Sequence, residues 1–197
     1  SRFDGDEFQL VGLDELTHFT LKQYQALGSR IRSTNPLLPR YIRGTTNPGG
    51  KGHGWVFDRF GPWLNPECLT LPPKFDEEGK RIPPAAPGEV LYFLVDKEGN
   101  ETIVPKGTLS EPDEKGYQQV ALGRTFLPAA LSDTPQLASD ASYRQRLRNN
   151  DAVRRAQLED GDWLKKPAAG DYFKRGWVQT IDVLPAGGFG VRAWDLA

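Results

Sequence analysis

Two neighbouring carboxylates, Asp14 and Glu15, close a short apolar run, Phe8-Gln9-Leu10-Val11-Gly12-Leu13. A run of this kind, ending abruptly in acids, reads as a central parallel strand buried on both faces. In an open parallel sheet, ligands bind beyond the carboxyl ends of the strands, so acids there face the site. Two adjacent carboxylates can divide the work of hydrolysing a nucleoside triphosphate. Asp14 would hold the shell of a Mg²⁺ ion, and Glu15 would orient or deprotonate the attacking water as catalytic base. The plain alternative is a strand whose polar end reaches solvent, because short motifs often arise without a site.

A second candidate follows at Gly44-Thr45-Thr46-Asn47-Pro48-Gly49-Gly50. A strand ending in Thr46-Asn47 beside the acidic pair could sense a γ-phosphate through the Asn47 amide. The glycines after it would allow movement when that phosphate leaves. Taken by itself the segment also reads as a plain turn. Gly49-Gly50-Lys51-Gly52 imitates a phosphate loop but does not match one. Thr45 stands where the first glycine belongs, and Gly52 where Ser or Thr should follow the lysine. No other stretch matches that loop.

The elements that would position these residues alternate between strand and helix. A helix is expected after the acids, with Thr20 and Gln23 at capping-box spacing and Leu21, Tyr24, Leu27 and Ile31 at helical intervals. Asn35-Pro36 should stop it. Arg40 to Thr46 reads as a second strand, and Trp55 to Phe60 as a short helix. Gly61 to Pro87 is proline-rich and weakly periodic, as an insertion would be. Glu89–Val95 and Glu101–Val104 form an expected β-hairpin across a turn at Asp96-Lys97-Glu98-Gly99-Asn100, and Tyr117–Leu127 one more strand. Helical character returns from Asp140, anchored by Tyr143, Leu147, Val153 and Leu158, with Gly161 as its stop. Ala168-Ala169-Gly170 resembles a hinge. Phe189, Val191, Ala193 and Asp195 then fall on one face of a strand.

Composition excludes several classes. With one cysteine, Cys68, and two histidines, His18 and His53, an intrachain disulfide framework is ruled out and a structural zinc site is not expected. A reduced, cytoplasmic setting fits. No stretch approaches the ~20 apolar residues of a membrane helix. The net charge of −1 decides nothing about nucleic acid, because a local basic stripe suffices to grip phosphates. Arg144, Arg146, Arg148, Arg154 and Arg155 form such a stripe, although the intervening Asp151, Glu159 and Asp160 favour a solvated helical face. Trp163, Phe173 and Trp177 are expected to pack a core or a domain junction. The sequence contains no methionine, and Ser1 opens directly onto a strand-like run. A piece of a longer chain is the expected explanation, and an engineered or processed start the alternative.

The combination is more specific than its parts. Leu13-Asp14-Glu15-Leu16-Thr17-His18-Phe19, the helix with Ser29-Arg30-Ile31-Arg32, Arg43 to Gly50, Gly52-His53 and Trp55-Val56-Phe57-Asp58-Arg59-Phe60 together resemble the large subunit of tailed-bacteriophage terminases. The resemblance continues through Leu122 to Ala129, Asp133-Thr134-Pro135-Gln136-Leu137, the Tyr143–Leu147 helix and Gly161-Asp162-Trp163. It spans nearly the whole chain and is least diagnostic over Gly61–Thr108. Thr134 departs from it, since relatives commonly carry asparagine there.

The resemblance implies an α/β fold made of four parts. Residues 1–60 would be the C-terminal half of a P-loop (ASCE) ATPase domain, with the Walker B strand and the coupling motif. Residues 61–127 would be an insertion with a β-hairpin and a return strand, and 128–167 a helical linker or lid. Residues 168–197 would open an RNase H-like nuclease domain. Gly190 to Ala197 matches the first nuclease strand, making Asp195 the implied first ligand of a catalytic Mg²⁺ or Mn²⁺ pair. The implied ATPase site uses ATP and Mg²⁺, with Asp14, Thr46 and Asn47 at the nucleotide and Glu15 as base.

The activity implied is ATP hydrolysis driving double-stranded DNA into a procapsid, with endonucleolytic cutting of concatemeric DNA. Implied partners are double-stranded DNA, the small terminase subunit, the portal protein of the procapsid and other copies of the large subunit, with no membrane. The setting is the cytoplasm of an infected or prophage-carrying bacterium, transiently at the portal. Without a phosphate loop and most nuclease acids, this chain alone is expected to be inactive. Two other readings remain open. One is a different ASCE motor such as a helicase, and the other a non-catalytic DNA- or capsid-binding module.

Overall fold

The computed structural model describes residues 6–35 and 37–165, which fall within one compact unit, Ser1–Lys166. The expected hinge at Ala168-Ala169-Gly170, the aromatic residues Phe173 and Trp177, and the strand carrying Asp195 lie outside the described residues.

The described chain is a mixed α/β structure with six helices, one parallel strand pair and antiparallel sheets. Strand β1 (Leu10–Leu13) pairs in parallel with β2 (Tyr41–Gly44), in a register that sets Leu10 opposite Tyr41 and Leu13 opposite Gly44. Between them lie a 3-10 turn, Leu16–His18, and helix α1 (Leu21–Gly28). The expected capping box is present. The Thr20 hydroxyl accepts from the Gln23 amide at 3.3 Å, and the Thr20 amide donates to Gln23 Oε1 at 2.9 Å.

Two expectations need correction here. The helix ends at Gly28 rather than at Asn35-Pro36, because Ile31 is drawn into a parallel bridge with Phe8. The Phe8 amide donates to the Arg30 carbonyl and the Arg32 amide to the Phe8 carbonyl, each at 3.0 Å. Nor is β1 buried on both faces. Leu13 alone of its four residues is buried, and Leu10 is 51% exposed, since β2 is its one paired neighbour among the described residues.

Helices α2 (His53–Arg59) and α3 (Gly61–Leu64) follow, and all four residues of α3 are buried. The proline-rich stretch is therefore more ordered than its composition suggests, for it also holds a small hairpin, β3 (Lys74–Phe75) with β4 (Arg81–Ile82). The expected hairpin forms from β5 (Leu91–Val95) and β6 (Glu101–Val104), closed where Asp96 Oδ1 accepts from the Asn100 amide at 2.7 Å. Strand β7 (Leu122–Arg124) pairs with the other edge of β5. It is shorter than the expected Tyr117–Leu127, because Val120 leaves to bridge Leu109.

Three helices complete the described chain: α4 (Pro135–Ser139), α5 (Ala141–Arg148) and α6 (Ala152–Glu159). The helical stretch is interrupted because it contains two caps. Asp140 accepts from the Ser142 and Tyr143 amides, and Asp151 accepts from the Arg154 amide at 2.7 Å, restarting the helix. Gly161 stops α6 at φ +61°, where a Cβ would lie 2.6 Å from the Ala129 carbonyl oxygen.

One buried cluster joins Leu13, Leu16, Val56, Leu64 and Trp163, and a second joins Trp63, Ala85, Leu91 and Phe93. Phe60 and Phe126 pack against both, with ring centroids 5.3 Å apart. Trp163 is thus a core residue beneath the parallel pair, meeting Phe126 edge-on.

An ion cluster fastens the antiparallel sheet to α2. Glu101 accepts from Arg59 Nη1 at 2.8 Å and from both terminal nitrogens of Arg124. The Arg124 guanidinium also lies 4.1 Å from the Phe93 ring centroid. Burial alone would push the Glu101 carboxyl up, but the hydrogen bond and charge of Arg124, joined by Arg59, hold it below the usual carboxylate range. Such a group stabilises the fold above its unfolded-state pKa, and the contribution fades as pH falls through the lowered folded value. Glu101→Gln should therefore destabilise the protein by on the order of 1–2 kcal/mol near neutral pH, discounted for partial exposure. Denaturant titrations should show the two proteins converging as the buffer is taken to about pH 3, below the ordinary carboxylate pKa.

Candidate functional site

The parallel register brings the carboxyl ends of β1 and β2 side by side. Pairing continues past the strands, where the Thr45 amide donates to the Leu13 carbonyl and the Leu16 amide to the Thr45 carbonyl, each at 2.9 Å. That pairing sets Asp14 against Thr45. Asp14 is exposed, and its Oδ1 accepts from the Thr45 hydroxyl and, at 3.1 Å, from the Glu15 amide. Glu15 is half-buried, and its Oε1 accepts from Asn47 Nδ2 at 3.2 Å. The two acids and the amide side chain therefore lie at the same end of the parallel pair, in two neighbouring contacts.

Thr46 takes another direction. Its hydroxyl accepts from the Thr17 amide at 3.2 Å and lies 3.3 Å from the Thr17 hydroxyl. Thr17 is 2% exposed and donates to the Asn47 carbonyl at 3.0 Å. Thr46 thus anchors the loop from below, and its neighbour Thr45 touches the acid. Successive residues of an extended segment point to opposite sides, so the register of Leu13 against Gly44 was the signal that could have singled out Thr45. Asp195 lies outside the described residues.

Glu15 adopts φ 51°, ψ 60°, and is the one non-glycine among the described residues with positive φ. A left-handed conformation with a Cβ costs roughly 1–2 kcal/mol, so the surrounding contacts must hold it. They also aim the carboxylate at Asn47.

The Asn47–Gly52 loop is gripped on two sides. On the inner side, the Gly52 amide donates to the Thr17 carbonyl at 2.7 Å, and a Cβ on Gly52 would sit 2.5 Å from the Phe19 carbonyl oxygen. His53 Nδ1 accepts from the Gly49 amide at 3.0 Å, and its ring stacks on Trp163 at 5.3 Å. On the other side, α6 reaches back across 106 residues. Arg154 Nη1 donates to the Pro48 carbonyl at 3.1 Å. The buried Gln157 fills the space over Gly49, where φ is +101° and a Cβ would come within 2.8 Å of Gln157 Oε1. Gly49 and Gly50 thus serve close packing in an unusual backbone conformation. Lys51 is exposed.

Family models, curated proteins and solved structures yield no match to this chain. What the arrangement can do rests on its own chemistry. An exposed carboxylate beside a hydroxyl suits Mg²⁺ held largely through water and phosphate oxygens. No cluster of three or more His, Cys, Asp or Glu able to hold a metal by itself occurs among the described residues. A half-buried carboxylate oriented by an amide can position a water molecule.

The strain at residue 15 is measurable. Glu15→Gly and Glu15→Ala both remove the carboxylate, but glycine alone tolerates the left-handed conformation. The glycine variant should be more stable than the alanine variant by about 1 kcal/mol in urea denaturation.

Proposed function

We propose that this chain is part of the large subunit of a tailed-phage terminase, a motor that hydrolyses ATP to drive double-stranded DNA into a procapsid. The observation that carries the reading is the meeting of Glu15 with Asn47, beside Asp14 with Thr45, at the carboxyl ends of two adjacent parallel strands. Ligands of open parallel sheets bind at that edge. The terminase-like segments supply both strand ends and the loop between Asn47 and Gly52.

In this reading Asp14, with the Thr45 hydroxyl, holds the water shell of Mg²⁺ on the nucleotide. Glu15 orients the attacking water and takes its proton. Asn47 holds the Glu15 carboxylate in place and would exchange that bond for one to a γ-phosphate. Thr46 supports the loop through Thr17. The sequence has no phosphate-binding loop of its own, so the reading requires one from outside these 197 residues. The ATPase half, the insertion and the helical linker correspond to residues 1–60, 61–127 and 128–167. The RNase H-like half, with Asp195 as first metal ligand and a divalent-metal endonuclease activity, rests on the sequence resemblance. So do the small subunit, the portal and neighbouring large subunits as partners.

The test is Glu15→Gln in the complete protein. Packaging-linked ATP hydrolysis should fall by about 10²–10⁴-fold, the usual contribution of a positioned general base, with an unchanged circular dichroism spectrum. The 197-residue chain by itself should neither turn over Mg-ATP nor cut DNA. Undiminished hydrolysis in the complete Glu15→Gln protein would remove the catalytic assignment and favour a non-catalytic binding role.

A further inference from the structure

Helices α5 and α6 flank an open groove of about 350 Å³ lined by Arg144, Arg148, Arg155 and Glu159. Arg144 and Arg148 stand one turn apart on α5, and Arg155 and Glu159 one turn apart on α6. Three guanidinium groups thus face one carboxylate. Two of the acids near these arginines in the sequence are used as helix caps. Asp140 caps α5 and Asp151 caps α6, while the exposed Asp160 at the end of α6 is not among the lining residues. None of the three arginine side chains has a hydrogen bond or an ion pair among the described residues. By contrast, Arg154 on α6 is committed to the Pro48 carbonyl, and Arg146 on α5 to the Ser142 hydroxyl.

We propose that this groove binds the phosphates of a duplex DNA backbone. Like charges spaced one turn apart on a helix repel, and that repulsion is relieved when an anion sits among them. Arginine is the side chain best matched to phosphate oxygens, through its planar fork of donors. The lining holds no aromatic or apolar side chain to receive a base or a nucleoside. Recognition is therefore directed at phosphate, and a backbone that repeats its phosphates can engage all three arginines together. The Glu159 carboxylate lowers the affinity and keeps the contact reversible. The choice of a duplex rests on the proposed function, whereas the phosphate site stands on the groove and does not depend on ATP hydrolysis at Glu15.

Fluorescence anisotropy of a short labelled duplex, titrated with the 197-residue chain at several salt concentrations and without nucleotide, tests this. The combined Arg144→Ala, Arg148→Ala and Arg155→Ala variant should lose about tenfold or more in affinity and flatten the log–log salt slope by about 2–3, near 0.9 for each phosphate no longer neutralised. Arg146→Ala should leave that slope unchanged, and Glu159→Gln should strengthen binding several-fold. Should the triple variant fail to fold, Arg148→Ala and Glu159→Gln carry the same test. Equal losses from Arg146→Ala and Arg148→Ala would overturn the site in favour of diffuse charge. Saturation of the groove by millimolar inorganic phosphate, with no duplex binding, would overturn the duplex assignment.

Discussion

Everything at the candidate site depends on the parallel pairing of β1 with β2. Because Leu13 stands opposite Gly44, the residues just beyond each strand are neighbours, and the Thr45 amide and carbonyl continue the ladder to Leu13 and Leu16. A slip of one residue would send every side chain to the opposite face. It would place Thr46 instead of Thr45 beside Asp14, and would part Glu15 from Asn47. Packing opposes such a slip: Leu13 and Leu16 are buried with Val56 and Trp163, and a Cβ at Gly44 would meet Leu16 at 3.3 Å.

That pairing is supported from the far end of the described chain. Trp163 lies in the same cluster as Leu13, stacks on His53 and meets Phe126 edge-on. Phe126 in turn contacts Phe60 and the second cluster under the antiparallel sheet. The Arg59–Glu101–Arg124 cluster ties the same two regions through charge. A ring and an ion cluster thus both join the parallel pair to the hairpin sheet, and neither region stands apart.

How much of this was legible in the sequence follows from how local each interaction is. The capping box at Thr20 and Gln23, the turn at Asp96–Asn100 and the stop at Gly161 depend on residues a few positions apart, and each forms where the residue types indicate. The placing of Asn47 beside the acidic pair was expected from strand-end logic, but its bond to Glu15, across 32 residues, was not. Thr45 escapes a reading that favours Thr46, because side-chain alternation decides nothing until the register is known. Ile31 fits the helical spacing but is taken up by Phe8, a tertiary choice that periodicity does not encode. The left-handed Glu15 had no glycine to announce it. The reach of Arg154 to Pro48 spans 106 residues and has no sequence signature at all.

Helix α6 has two working sides. Arg154 and Gln157 face the Pro48–Gly49 turn, and Arg155 and Glu159 face the groove shared with α5. Its eight residues form a rod of about 12 Å, so both sets of contacts share one short element. Residues 154 and 155 are adjacent in the chain, so the turn contact and the groove are set a single peptide unit apart.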